Sequence, residues 1–320
     1  MKQQDTMMRQ ARAYLKYRQA LGFALRTSEI LLPQFAQFLD RRGKRGPITT
    51  DLTLHWVHLP KTATRSSKAN RLSVARGFAR YLAARDGGRT EVPDWRLLPK
   101  VFYNHRPHLF SERHLQELLA ATGRMIRTYP LRPLTYRTLF GLLASTGLRV
   151  CEALNLKCEH VDLENGILRI ELTKFKKSRL VPMHPTATRA LHRYATARDR
   201  EWGHADGKPF FVGRRGAVLP YSTVRCAFRT LCNDLGWRRG NGDWPRPRIH
   251  DLRHSFACRC LLRWCRDHED VHHRIAALST YLGHARVTDT YWYLASTPEL
   301  LAIAGGRFER FACSENGGRP

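Results

Sequence analysis

Through residues 1–95 the apolar positions recur every three or four residues, the spacing that gathers them on one face of a helix. Met8, Ala11, Tyr14, Leu15 and Leu21 mark a first helix, and Ile30, Leu31, Phe35 and Phe38 mark a second across Ser28 to Leu39. Gly43, Gly46 and Pro47 interrupt the pattern, after which Asp51 is positioned to cap a short helix through Val57. A fourth helix, Ser66 to Ala84, sets Leu72, Phe78 and Leu82 beside Lys68, Arg71, Arg76 and Arg80. Helices alone are expected here. Pro93, Pro99 and Pro107 then oppose continuous helix, which reads as an extended linker over residues 96–110.

The pattern resumes at Ser111, which can cap a helix carrying Leu115, Leu118 and Leu119, and a longer helix follows from Leu134 to Ser145. Two short alternating runs, Gly166 to Leu172 and Ser178 to Pro182, predict strands flanking a basic turn from Thr173 to Lys177. Helical spacing returns at residues 185–200, 221–235, 250–266, 274–283 and 287–295. A short apolar helix is expected from Pro298 to Ala304, with a mobile tail from Gly305. The fold class predicted is therefore mainly α with a small β-sheet: a helical domain over residues 1–95, the linker, and an α+β domain over residues 111–320.

Composition narrows the chemistry. The 320 residues carry 55 Lys and Arg against 27 Asp and Glu, a formal charge of +28, yet 42% are hydrophobic, too many for a disordered basic tail. A folded body with that imbalance attracts polyanions, nucleic acid first. The excess is shared, since residues 1–95 hold 18 Lys and Arg against seven Asp and Glu. No apolar run is long enough for a membrane span, and the start MKQQDTMMRQ lacks a signal-peptide core, so a cytoplasmic location is expected. Eight cysteines are too sparse for a disulfide scaffold; free thiols are expected. Cys258, Cys260 and Cys265 with His272 and His273 have no CxxC pair and lie in helical sequence, favouring buried thiols over a zinc site.

Four fragments carry chemistry. TGLRVCEAL holds Arg149 and Glu152, TKFKKSRLVP holds Lys174, IHDLRHSFA holds His250 and Arg253, and YLGHARVTDTYWYL holds His284 with Tyr293 nine residues on. Singly each reads as an ion-pairing face or a solvated basic turn. In this order and spacing they resemble the tyrosine recombinases, or phage integrases, most like the transposon-borne members. The resemblance implies cutting and rejoining of DNA through a 3′-phosphotyrosyl intermediate, with movement of a mobile element as the purpose.

That chemistry needs a nucleophile, positive charge on the nonbridging oxygens and a proton for the departing 5′ oxygen. Arg149 and Arg253 suit the charge, because a guanidinium is planar, permanently protonated and able to donate paired hydrogen bonds to phosphate. His250 and His284 add donors or proton shuttles, with His250 the acceptor of the nucleophile's proton. The resemblance implies that Lys174 is the general acid; Lys176 and Lys177 are its neighbouring competitors. Glu152, one turn after Arg149, is placed to buttress it or a neighbouring histidine. The spacing from His284 favours Tyr293 as nucleophile over Tyr291 and Tyr281.

Lys68, Arg71, Arg76, Arg80, Lys176, Lys177, Arg179, Arg225 and Arg229 are candidate DNA contacts. No GxxxxGK[ST] loop or carboxylate cluster suited to Mg²⁺ is present, so no cofactor and no metal are expected. The family pattern further implies double-stranded recombination sites as partner, a homotetramer on DNA, alone or together with related recombinases, and a bacterial, nucleoid-associated protein. The segment STPELLAIAGGRFERF is equally suited to docking on a neighbouring protomer or to covering its own domain. Two other readings remain open, a DNA-binding accessory protein that does not cut and a type IB topoisomerase.

Overall fold

The computed structural model describes residues 6–23, 25–98, 107–126, 128–171, 178–203, 207–237, 246–267, 269–296 and 302. The chain separates into two compact units, Met1–Asn104 and His105–Pro320.

The first unit is helical. Helices α1 (Met7–Ala20), α2 (Arg26–Arg41), α3 (Thr50–His58) and α4 (Arg65–Ala83) close over Met7, Tyr14, Leu32, Phe35, Leu39, Trp56, Leu72 and Phe78. Most of the periodic residues lie on or beside the buried stripes, but Leu21 and Ile30 are exposed, and the start signals are threonines: Thr6, Thr49 and Thr64 each accept a backbone N–H three residues on. Asp51, expected as a cap, sits instead in the first turn of α3. The Asp40 carboxylate accepts the N–H groups of Met7 and Met8 at 2.9 and 3.1 Å, so α2 satisfies the open end of α1. Arg71 is a correction. Expected to face phosphate, it is 7% exposed, lies 3.6 Å over the Trp56 ring and donates to the Trp56 carbonyl at 2.7 Å. Its planar cation covers an indole face that water would otherwise meet.

In the second unit, α5 (Glu112–Ala121) is capped by Ser111 as its sequence predicts. It packs on α6 (Arg132–Thr146), which buries Tyr136, Leu139, Phe140, Leu142 and Leu143 and so runs through the centre of the core. A five-residue helix α7 (Val150–Leu154), too short for a periodic signal, precedes an antiparallel sheet in the order β1 (Val161–Asp162), β2 (Ile167–Ile170), β3 (Arg179–Pro182). Ile170 pairs with Arg179 at one end of the antiparallel β2–β3 ladder. Helices α8 (Pro185–Trp202), α9 (Tyr221–Asp234), α10 (Ile249–Arg266), α11 (Val271–Leu282) and α12 (Thr288–Ser296) complete the unit. The sequence-predicted helix at Pro298 to Ala304 and the tail fall almost wholly outside the described residues, as do Lys174, Lys176 and Lys177.

Cys258 is buried between α10 and its neighbours, with Cys260 and Cys265 packed beside the same apolar cluster, and the described cysteines are free thiols. Among the described residues no helix is long and apolar enough to cross a membrane, and no three His, Cys, Asp or Glu side chains gather as metal ligands.

Candidate active site

The site is built on two glycine turns. Gly147 ends α6 at φ +62°, a conformation that costs glycine little. An added Cβ there would meet Phe256 at 2.5 Å and Leu282 at 2.9 Å. The tight turn delivers Arg149 as the N-cap of α7, where its backbone N–H donates to Glu152 Oε2 at 3.0 Å. Gly283, at φ +69°, turns the chain from α11 toward α12, and a Cβ on it would strike the Arg179 guanidinium at 2.6 Å.

The arginines join these turns. Arg253, on α10 and 2% exposed, donates to the Gly147 carbonyl at 2.7 Å and to the Leu282 carbonyl at 2.8 Å. Arg149, with 32% of its side chain open, donates to Gly283 O at 3.0 Å and to Glu152 Oε1 at 2.8 Å. The Glu152 carboxylate also takes both terminal nitrogens of Arg179, at 2.8 and 3.2 Å, while Arg179 Nε donates to the Tyr281 carbonyl. Burial alone would raise the Glu152 carboxyl; the two guanidinium groups outweigh it and hold the group below its ordinary range. Arg179, expected on DNA, is therefore a second correction: it is mostly buried and spends its planar fork on Glu152. Three guanidinium groups against one carboxylate leave surplus positive charge, and burial together with Arg149 makes the Arg253 cation dearer to hold. An incoming anion would relieve that strain.

Tyr293, on α12, is 3% exposed. Burial raises its phenol above the ordinary value, while the charge and hydrogen bond of Arg253 pull the other way. His284 Nδ1 lies 2.7 Å from the hydroxyl of the buried Thr290, and its ring stacks toward Tyr293 with centroids 6.1 Å apart. His250 stands open on one side at the start of α10; the protein crowding its other side, then Arg253, Arg248 and Arg149, push it down to about 4. Burial and the same arginine pair bring His284 to about 4 as well. Both rings are thus neutral at pH 7, each with one ring nitrogen unprotonated.

Of the sequence-predicted residues, the structure brings Arg149, Glu152, Arg253, His284 and Tyr293 into one network, with His250 beside it through its effect from Arg253 and Arg149. Arg80, Arg225 and Arg229 are exposed, Lys68 is half-buried, and Arg76 is held to the Pro93 carbonyl. Three contributors escaped sequence reasoning. His254, one turn after His250, puts its ring 4.6 Å from His250 and 5.5 Å from Tyr293, and its position next to Arg253 was the available signal. The carbonyls of Gly147 and Leu282 carry no side-chain signal.

Residues 110–299 match the phage integrase family. The chain is 41% identical over 310 residues to the putative integrase/recombinase y4rB of Sinorhizobium fredii, covering 96% of this chain and 98% of that protein. It is 35% identical over 248 residues to the tyrosine recombinase XerD of Xanthomonas campestris pv. campestris, covering 75% of this chain and 70% of that protein. Among solved structures, XerH site-specific recombinase bound to palindromic difH substrate in a post-cleavage complex aligns with a TM-score of 0.65 at 20% identity, over 95% of this chain and 85% of that one. The Tn1549 transposon integrase in complex with transposon right end DNA aligns with a TM-score of 0.64 at 16% identity, over 95% and 99%.

Proposed function

Since the chain belongs to the phage integrase family, the tyrosine recombinases, we propose that it cuts and rejoins double-stranded DNA at specific sites through a 3′-phosphotyrosyl intermediate, in the service of a mobile element. The observation that carries this reading is the linkage of Arg149 and Arg253 across the Gly147 and Gly283 turns, with the Tyr293 phenol against Arg253.

Tyr293 Oη attacks the phosphorus, its proton passing to neutral His250 as the new O–P bond forms. Arg149 and Arg253 hold the nonbridging oxygens, and His284 donates beside them. The bond to the 5′ oxygen breaks and Lys174 supplies its proton. A 5′ hydroxyl from the partner duplex then reverses the steps. One phosphoester replaces another, so the exchange is close to isoenergetic and calls for no nucleotide.

Residues 1–95 serve as the DNA core-binding domain and residues 111–320 as the catalytic domain, joined by the linker 96–110. Exposed Arg80, Arg225 and Arg229, with Lys68, Lys176 and Lys177, supply phosphate contacts. The enzyme assembles as a tetramer on two sites, in the bacterial cytoplasm with the nucleoid. The name integrase/recombinase borne by the 41% identical relative supports the mobile-element role.

The test uses a nicked suicide substrate carrying the element's own site. The wild type should form a protein–DNA complex that survives denaturation and Tyr293→Phe should form none; a complex with the phenylalanine variant sinks the assignment of the nucleophile. Joining of two separate duplexes separates recombination from topoisomerase action, and binding with no covalent complex leaves the accessory reading instead.

A further inference from the structure

Helix α12 buries its Tyr293 and leaves the two preceding aromatics outside: Tyr291 is 40% exposed and Trp292 44%. The Trp292 ring is edge-on to Tyr293, centroids 5.6 Å apart, and lies 5.3 Å from the His254 ring. Exposure of indoles in this chain runs from Trp56 at 2% to Trp95 at 46%, and what sets Trp292 apart is that its exposed ring lies against Tyr293. Arg286 and Arg248 are exposed, Asp289 is the acid on the Trp292 segment, and Arg248 acts on the His254 ring that Trp292 meets. A flat apolar face with cations on the neighbouring segments suits a partner that is anionic along one edge and aromatic along another.

Resting on the cutting reading above, we propose that Trp292 is a stacking platform for the nucleobase flanking the cleaved phosphate. Bases repeat every ~3.4 Å along a strand, so a ring 5.6 Å from that of the nucleophile falls within one or two nucleotides of the phosphate attacked. Within intact duplex both faces of that base are covered by its neighbours. Cleavage releases a 5′ end and uncovers one face, and the indole replaces the lost stacking while the strand end waits to leave or to rejoin. Every base offers a π-face, so the contact tolerates any sequence at the cut.

The experiment measures covalent-complex yield on suicide substrates that carry either an intact nucleotide or an abasic residue beside the cut. Trp292→Ala should lower the yield on the intact substrate about tenfold, the scale of one lost base–aromatic stack, and Trp292→Phe should retain most of it. On the abasic substrate the wild type should fall by the same factor and Trp292→Ala no further. An equal loss for Trp292→Ala on both substrates would show the ring acting through its packing on His254 and Tyr293 and overturns the proposal, as does an unimpaired Trp292→Ala. Absence of any complex with the wild type on the intact site overturns the cutting reading and this one together.

Discussion

At the scale of single residues, the guanidinium fork matters more than its charge. Arg253 reaches two carbonyls from different segments, Gly147 O and Leu282 O, with separate nitrogens. A lysine ammonium has neither the width nor the plane to do so. Arg253→Lys should therefore cut covalent-complex formation by about 100-fold or more while site binding, spread over many contacts, changes little; a gel-shift titration run beside the cleavage assay checks both, and equal losses in the two would refute the distinction. The histidines give a second expectation. His250 and His284 sit near 4 and His254 near 3, all depressed by burial first and by neighbouring cations or rings after it. The unfolded chain takes up these protons near pH 6.5 and the folded one refuses them until about 4, so the stability they contribute is complete above 6.5 and is lost as pH falls toward 4. Thermal melts should show a lower Tm at pH 5 than at pH 7, and an unchanged Tm contradicts the assignment of neutral, buried rings. The sequence pointed to Arg149, Arg253, His284 and Tyr293 because order and spacing survive without knowledge of the fold. Arg179 was misjudged because its partner Glu152 lies 27 residues away, and a basic residue after a basic turn looks alike whether or not an acid waits inside.

At the scale of elements, the signals that were legible were those repeated along one helix. The stripes of α1, α2 and α4 and the Ser111 cap of α5 needed no tertiary knowledge, whereas α7 has five residues and β1 two, below the length at which any period can be recognised. Helix α7 nevertheless carries Arg149 at its N-cap, so one of the least legible elements positions a central residue. The cap and the turn make contrasting predictions. Ser111 Oγ accepts the His114 N–H at 3.1 Å on an exposed helix end, and Ser111→Ala should cost about 1 kcal/mol, a fall of roughly 2–4 °C in Tm, with cleavage per folded molecule unaltered. Gly147→Ala should do more harm. Its backbone sits at φ +62° and its Cβ would press on Phe256 and Leu282, whose carbonyl, like that of Gly147, holds Arg253. Lower Tm and lower cleavage per folded molecule should appear together, measured by melting and by the suicide substrate; retention of full cleavage would show that the turn supports the fold alone.

At the scale of the whole molecule, +28 is not one quantity but several, sorted by where the charges are spent. Arg149, Arg179 and Arg253 are held in the site by Glu152 and backbone carbonyls, and Arg71 is folded against Trp56. None of these is a mobile surface cation, though composition counts them with the rest. Exposed Arg80, Arg225 and Arg229 belong to the other class, free to displace counterions from a phosphate backbone. The two classes separate in a salt titration of DNA binding. Each phosphate contact removed should shallow the slope of log K against log salt by about 0.9, so Arg225→Ala and Arg229→Ala should each flatten it by that amount while leaving Tm nearly unchanged. Arg71→Met should do the reverse, keeping the slope and lowering Tm, because it withdraws the cation from the Trp56 face and takes from the Trp56 carbonyl the shorter of its two donors, leaving only the Leu59 N–H at 3.4 Å. A flattened slope for Arg71→Met, or an unchanged one for both surface arginines, would mean that burial is a poor guide to which charges meet DNA. The distinction has a physical root: a guanidinium committed to protein partners away from the active site, as Arg71 is, neutralises no phosphate and so releases none of the counterions condensed on DNA, whereas an exposed one is free to meet phosphate.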